Sequence, residues 1–334
     1  MSLPTFVIVG ERRSGTTSLA KWLEPHPDVF LHPRLDMAYF VDDEIVGRLD
    51  WLDGELDYQR WDGEHSQVEY AAMFEAGESA TAVGEKSADY LFWRPAHARL
   101  AKYLPECRFV VTLRNPIDRA WSHYWNEVGK GRETLSFEDA LAAENDRITN
   151  SAYARDHLSY RTRGEYDESL RDLFQHVPRE QVLVVALDDL MDRPVETAAE
   201  VFRWIGVDPE LGMERIGTQV NENWTTLPSR WAELPGLKQL ERGTARMISR
   251  TTRFLARDSY RARRLNTRLL SLFRKTKGDM RMSAETRADL QRHFAPHIAR
   301  LEDLLARDFS HWKTDGRGSR SDKNAGGVES GAAA

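Results

Sequence analysis

The sequence predicts an α/β protein, a three-layer α/β/α domain built on a central parallel sheet. Three observations carry that prediction. Short apolar runs at residues 5–9, 108–113 and 181–186 read as strands buried on both faces. Helical patterns separate them, and strands alternating with helices imply parallel pairing through right-handed crossovers. At 334 residues the chain is long enough for one large domain of this kind.

The elements follow in order. The first strand, residues 5–9, ends at Gly10. A helix is expected from Gly15 or Thr16 to Glu24, where Pro25 stops it. Residues 29–31 form a short second strand. Residues 42–80 are polar, acidic and Trp-containing without a clear period, and read as loop and short helices covering a site. After the strand at 108–113, Asn115-Pro116 turns the chain into an amphipathic helix over 116–130, with proline in its first turn. Ser136-Phe137-Glu138-Asp139 resembles a capping box and opens a helix toward Glu144. Residues 194–205 read as helical. A long C-terminal helix is expected over 283–307, with Leu290, Phe294, Ile298, Leu301 and Leu305 on its apolar face. The expectation is one domain over 1–313 with a helical insertion at about 230–275. The tail, 314–334, is Gly, Ser, Ala and charge, and cannot bury enough apolar surface to order itself.

Composition narrows the function classes. Apolar residues are 41% and charged residues 30%, the balance of a water-soluble globular domain. A net charge of −6 argues against a nucleic-acid binder. Arginine dominates the basic residues, and many arginines fall between positions 242 and 281. They read either as an Arg-rich helical surface or as a patch for a polyanionic acceptor. Cys107 is the single cysteine, so no intrachain disulfide forms, which suits a reducing compartment. No window approaches the roughly 18 apolar residues of a spanning helix, and no basic, apolar leader precedes the first strand. A cytoplasmic protein without a membrane span is expected.

The segment from Gly10 to Ser18 reads Gly-Glu-Arg-Arg-Ser-Gly-Thr-Thr-Ser. It follows a strand and opens a helix, the context of a P-loop-like phosphate site. Helix-start N–H groups and the helix dipole favour an anion there, and the hydroxyls of Thr16, Thr17 and Ser18 are candidate donors. The spacing matches Gly-x4-Gly, ending at Gly15. Thr16, however, stands where an NTP hydrolase places the lysine that spans the β- and γ-phosphates. The positive charges sit earlier, at Arg12 and Arg13, and fit a shorter diphosphate-like group. A second anchor follows the strand at 108–113. Arg114 ends that strand and Ser122 lies eight residues on, in the next helix. A strand-end arginine and a helix hydroxyl can converge on one phosphate through charge-assisted bonds.

Together the two segments resemble the sulfotransferases that use 3'-phosphoadenosine-5'-phosphosulfate (PAPS). The loop at 10–18 is similar to that family's 5'-phosphosulfate loop, and residues 114–122 to its 3'-phosphate motif. Gly84-Glu85-Lys86-Ser87-Ala88-Asp89-Tyr90 resembles the GEKS-x-x-Y segment of the heparan sulfate N-sulfotransferase branch. Lys275-Thr276-Lys277-Gly278 resembles the branch's lysine-glycine loop over the nucleotide, with Asp279 where an arginine often follows. Residues 282–308, ending in Trp312, resemble its C-terminal helix. Val220-Asn221 and Arg163-Gly164-Glu165-Tyr166 look like segments of bacterial members. The resemblance covers residues 5 to 312. It places the chain near the heparan sulfate N- and 3-O-sulfotransferase-like and bacterial branches.

The resemblance implies in-line transfer of a sulfuryl group to a hydroxyl or amine, releasing 3',5'-ADP, with PAPS as co-substrate and no metal ion. It implies nucleotide contacts from Arg12, Arg13, Ser14, Gly15, Thr16, Thr17, Ser18, Arg114, Ser122, Lys275, Lys277 and Gly278. Arg13 stands where relatives carry a lysine at the leaving oxygen. Arginine stabilises charge but is too basic to donate a proton, so Lys86 becomes the better contact for sulfate or leaving oxygen. The branch's base glutamate matches Asp36 in Leu35-Asp36-Met37-Ala38-Tyr39-Phe40, and Leu35 replaces the preceding lysine. His32, His123 and Glu85 are the alternative bases. His123 reads as structural, Glu85 as a partner of a loop arginine, and His26 as a turn residue. Trp125 reads as core, while Trp51 and Trp61 are candidates for an acceptor cleft. The acceptor is a small molecule or carbohydrate. Lipid, peptide and aromatic acceptors stay open, with a carbohydrate or glycosylated metabolite favoured.

Overall fold

The computed structural model describes residues 3–41, 64–130, 132–216 and 282–314. The expected insertion near 230–275 and the tail beyond 314 lie outside them. The chain divides into two compact units. One comprises Met1–Tyr124, Leu135–Asn221 and Ala284–Ala334, and the other Trp125–Thr134 and Glu222–Ser283. Of the second unit, residues 125–130, 132–134 and 282–283 are described, and there Asn126, Lys130 and Arg132 donate to the buried Glu127 carboxylate.

Five strands build the first unit: β1 (Phe6–Gly10), β2 (Val29–Leu31), β3 (Ala82–Lys86), β4 (Arg108–Leu113) and β5 (Val182–Ala186). They form one sheet in the order β2-β3-β1-β4-β5, parallel at every pairing. β1 is central, and all five of its residues are buried. Covering on both faces explains its unbroken apolar run. The sequence reading places no strand at 82–86, because β3 contains Gly84, Glu85 and Lys86, types depleted from strands. All five β3 residues are nonetheless buried. Pairing with β1 and β2 overrides the local preference. Gly84 has a packing reason, since a Cβ there would sit 2.3 Å from the Phe6 ring.

Ten α-helices are described: α1 (Thr16–Leu23), α2 (Glu64–Ala72), α3 (Arg94–Tyr103), α4 (Pro116–Gly129), α5 (Phe137–Asn150), α6 (Ala152–His157), α7 (Tyr166–His176), α8 (Leu187–Asp192), α9 (Pro194–Ile205) and α10 (Ala284–Leu305). On one side of the sheet Leu19, Trp22 and Leu23 of α1 and Val201, Phe202 and Ile205 of α9 join Phe6, Ile8, Val110 and Val185 in a single core. Each such side chain, fully buried, contributes roughly 1.5–3 kcal/mol. Val7 and Val9 alternate to the opposite face. A second helical group forms where α7 packs against both α3 and α10. Of the apolar face expected on α10, Leu290, Phe294, Ile298 and Leu301 are buried, while Leu305 is half-exposed. α5 starts as its capping pattern predicts, with Ser136 Oγ accepting from the Asp139 N–H at 3.1 Å.

The loop after β1 is pinned by buried charge. Glu11 is buried, and its Oε1 accepts from Arg163 at 3.0 Å and from the Arg12 N–H at 2.7 Å. The equally buried Arg163 also donates to Asp89 at 2.9 Å and Asp156 at 3.1 Å, and lies 4.1 Å over the Phe92 ring. Arg12 reaches the same two carboxylates at 2.6 and 2.9 Å. Burial raises the Glu11 pKa above the usual carboxylate range, and the Arg163 charge opposes that rise. Replacing Arg163 by methionine leaves buried Glu11 without its cation and Asp89 and Asp156 with Arg12 alone. Arg163→Met is expected to lower unfolding free energy by about 3–5 kcal/mol in chemical denaturation at neutral pH. A loss under about 1 kcal/mol would contradict the anchoring role.

Candidate active site

The predicted residues gather at the carboxyl ends of β1, β3 and β4, where open parallel sheets bind ligands. The strand order makes this a switch point. The chain leaves β1 for β2 on one side and crosses from β3 to β4 on the other.

Gly15 caps α1 with φ 95°, and a Cβ there would lie 2.8 Å from Leu187. Both conditions require glycine. The first intrahelical bond runs from the Leu19 N–H to the Gly15 carbonyl at 3.0 Å. The N–H groups of Thr16, Thr17 and Ser18 therefore have no acceptor within the helix. The first turn carries no acidic residue and no side-chain cap, so this helix start is a ready anion receptor.

Arg13 is the junction of the two phosphate motifs. It adopts φ 69°. Its Nε donates to Ser122 Oγ at 3.1 Å, and its carbonyl accepts from Arg114 Nη1 at 3.3 Å. The Arg114 carbonyl accepts from the Tyr166 hydroxyl at 2.9 Å, which fixes the strand end. Loop, strand end and following helix are thus joined across about a hundred residues of sequence.

Register puts Lys86 opposite Ile8, two residues before the loop. Its side chain is only 3% exposed, so it is not a surface lysine. The ammonium binds both oxygens of Asp36, at 2.7 and 2.6 Å. The Ala88 N–H adds a bond to Asp36 Oδ1 at 3.0 Å. The Asp36 side chain is 47% exposed. One end of this carboxylate is fixed, and Oδ2 keeps an accepting lone pair. Asp36 and Ala38 both hold positive φ, 57° and 54°, which costs about 1–2 kcal/mol per residue and needs outside support. The Asp36 N–H bonds the Lys86 carbonyl at 2.7 Å, and the Ala38 N–H bonds Ser87 Oγ at 3.0 Å.

Glu85 completes that support and corrects its expected role. Among the described residues it pairs with no loop arginine, whereas Glu11 of the loop pairs with Arg163. Buried Glu85 accepts from Tyr70 at 2.6 Å, Tyr90 at 3.1 Å and Ser87 at 3.1 Å. The same Tyr90 oxygen accepts from the Tyr39 N–H at 2.8 Å. Glu85 therefore holds the 36–40 segment through Ser87 and Tyr90. Burial raises its pKa to about 7, against the lowering effect of the three hydroxyls.

Other expectations need revision. Arg12 is drawn into the Asp89–Asp156 carboxylates, so its guanidinium anchors the loop from behind the anion site. Ser14 is fully buried, and its N–H bonds the Glu11 carbonyl at 3.1 Å. Thr16 is buried as well and offers its N–H, while Thr17 and Ser18 are half-buried. Trp125 is half-exposed rather than core. His123 is structural as expected, buried against the Tyr160 ring at 5.3 Å. His26 is more than a turn residue: it is buried and bridges the Asp208 carbonyl and the Asp28 N–H. His32 closes a local turn with Arg34. Lys275, Lys277, Gly278, Trp51 and Trp61 lie outside the described residues. Sequence reasoning missed the Glu11–Arg163–Asp156 cluster. The available signal was a carboxylate directly after a buried strand, which requires a buried cation.

Fold and site define an α/β protein with a P-loop-like anion site that lacks the lysine of NTP hydrolases. The chain belongs to the sulfotransferase family, whose profile matches residues 4–210, and it is a sulfotransferase enzyme. It is 24% identical over 227 residues to a bifunctional heparan sulfate N-deacetylase/N-sulfotransferase 1 of Caenorhabditis briggsae, covering 64% of this chain and 24% of that protein. It is 27% identical over 220 residues to human heparan sulfate glucosamine 3-O-sulfotransferase 3B1, covering 65% of this chain and 48% of that protein. The chain thus spans between a quarter and a half of these curated relatives. Among solved structures, a sulfotransferase from Alicyclobacillus acidocaldarius aligns with TM-score 0.63 and 25% identity over 94% of this chain and all of that one.

The Glu85 environment yields a pH prediction. Its folded pKa, about 7, lies above the ordinary 4.5, so the folded state binds the extra proton between these values. That contribution is fully present below pH 4.5 and is lost as pH rises to about 7. Relative to Glu85→Gln, wild-type stability should fall by about 3 kcal/mol across this window. Denaturation midpoints measured for both proteins at several pH values check this. Parallel profiles would show that Glu85 does not titrate there.

Proposed function

We propose that this sulfotransferase takes its sulfuryl group from PAPS and passes it to a hydroxyl or amine of a carbohydrate or glycosylated metabolite, releasing 3',5'-ADP. The observation that carries this reading is the junction at Arg13, where the anion-receiving loop meets Arg114 and Ser122. Two separate anion positions, one at a helix start and one at a strand end, match a nucleotide phosphorylated at both 5' and 3' positions. The donor set fits: backbone N–H groups of Thr16 to Ser18 and the side chains of Thr17, Ser18 and Arg13 for the 5' group, Arg114 and Ser122 for the 3' phosphate. Lys275, Lys277 and Gly278 belong to the same reading as a loop over the nucleotide.

PAPS supplies an activated sulfuryl group whose leaving group is a phosphate. The new bond joins the acceptor oxygen or nitrogen to sulfur. The bond from sulfur to the bridging oxygen breaks, and its electron pair leaves with 3',5'-ADP. Asp36 Oδ2 takes the acceptor proton. Lys86 orients Asp36 and places a positive charge beside the transferring group, while Arg13 stabilises charge on the leaving phosphate. Arginine does not donate a proton in this role. Carbohydrate acceptors are favoured because the heparan sulfate sulfotransferases are similar over about two thirds of the chain. A cytoplasmic setting fits a single, buried cysteine.

The direct test is incubation with sulfur-labelled PAPS and a panel of glucosamine-containing oligosaccharides, with mass detection of products. Acceptor-dependent release of 3',5'-ADP supports the reading. Absence of any PAPS consumption across carbohydrate, aromatic and peptide acceptors contradicts it. Asp36→Asn is expected to lower kcat by about 10²–10⁴-fold, the usual share of a general base, while 3',5'-ADP affinity stays within about twofold of wild type. Full turnover in that variant would place the base elsewhere.

A further inference from the structure

Among the described residues, apart from the nucleotide residues, one side-chain cluster has the composition and spacing of metal ligands. His293 and His297 lie one helical turn apart on α10, on the same face. Glu165 sits at the start of α7 and meets both. Glu165 Oε1 lies 3.0 Å from His293 Nε2 and 3.9 Å from His297 Nε2, and the three ligand atoms all fall within 4.8 Å of one another. A tetrahedral ion with bonds of about 2.0–2.2 Å holds its ligand atoms about 3.3 Å apart. The observed separations bracket that value, so small side-chain rotations suffice.

The surroundings orient the ligands as a metal site requires. His297 Nδ1 lies 2.7 Å from Asp167 Oδ1. That contact fixes the ring, and Nε2 is the nitrogen on the Glu165 side, 3.9 Å from Oε1. Arg300 pairs with the other oxygen of Asp167 and also lies 2.9 Å from His297 Nδ1. A carboxylate behind a ligating imidazole is the outer-shell arrangement of bound zinc. His293 is 32% exposed, while Glu165 and His297 are less so at 18% and 13%. An ion can reach the cluster from solvent and retain a water as its fourth ligand.

We propose that Glu165, His293 and His297 form a binding site for a zinc-type transition-metal dication, formed by residues outside the nucleotide-binding set. Two imidazoles and one carboxylate select such ions over Mg2+, which prefers all-oxygen ligation. The ion joins α10 to the start of α7, two residues from Arg163. It thereby fastens the C-terminal helix to the segment that anchors Glu11. Gly164, between Arg163 and Glu165, already packs on this helix, with a Cβ position 2.8 Å from the Phe294 ring. The site does not depend on the identity of the sulfuryl donor or acceptor.

The test uses the full chain, free of affinity tags and stripped with a chelator. Titration with Co2+ should give the intense visible absorption of a tetrahedral ion, saturating at one equivalent. Zn2+ should displace it and raise the melting temperature, and Mg2+ should do neither. His293→Ala, at the more exposed ligand, should abolish the absorption while leaving the unliganded melting temperature near wild type. Asp167→Asn should weaken binding about 10–100-fold. Absence of Co2+ absorption in wild type, or an unchanged spectrum in both His293→Ala and His297→Ala, would overturn the proposal.

Discussion

The Arg163 guanidinium, enclosed with Glu11, Asp89 and Asp156, is the interaction on which the site depends. These groups are buried, and isolated charges there would face desolvation penalties of several kcal/mol each. Each is therefore stable only with the others in place. Glu11 belongs to the loop after β1, Asp89 to the turn after β3, and Asp156 to α6. Arg163 draws three distant segments into one arrangement, and Arg12 closes it from the loop side. The anion-receiving end of α1 is thus fixed from behind, without using the groups that face the ligand.

A second constraint shapes the carboxylate. The 36–40 segment carries two non-glycine residues in the left-handed region. Lys86, Ala88, Ser87 and Tyr90 hold it there, and Glu85 ties Ser87 and Tyr90 together. Strain maintained by surrounding bonds is characteristic of functional segments. Here it sets Asp36 with both oxygens on Lys86 and Oδ1 also on the Ala88 N–H.

Much of this was legible in the sequence. The runs at Arg108–Leu113 and Val29–Leu31 match their strands, and Pro194–Ile205 matches its helix. Strong periodicity and proline or glycine boundaries made these clear. The juxtaposition of Arg13, Arg114 and Ser122 followed from motif order, and the pairing of Lys86 with Asp36 joined two residues singled out separately. The failures have physical causes. β3 was hidden because Gly84 and Lys86 sit in a strand for tertiary reasons. α7 starts at Tyr166 with acidic Asp167 and Glu168 and reads as polar, although its buried face is complete. The roles of Glu11, Glu85 and Arg163 depend on partners 70 to 150 positions away or on a buried hydroxyl cage. No local pattern encodes those contacts. Arg12 was assigned from its place in a motif, while the fold pairs its guanidinium with Asp89 and Asp156.

In the proposed function, the loop at α1 and the Arg114–Ser122 pair together recognise one nucleotide bearing both 5' and 3' phosphates. Calorimetric titration with 3',5'-ADP, 5'-AMP and Mg-ATP tests it most directly. Charged hydrogen bonds contribute about 1.5–3 kcal/mol each, so two at the 3' phosphate predict at least about 100-fold tighter binding of 3',5'-ADP than of 5'-AMP, with Mg-ATP weakest. Equal affinity for 3',5'-ADP and 5'-AMP would contradict the claim, because Arg114 and Ser122 would then contribute nothing to the choice of nucleotide.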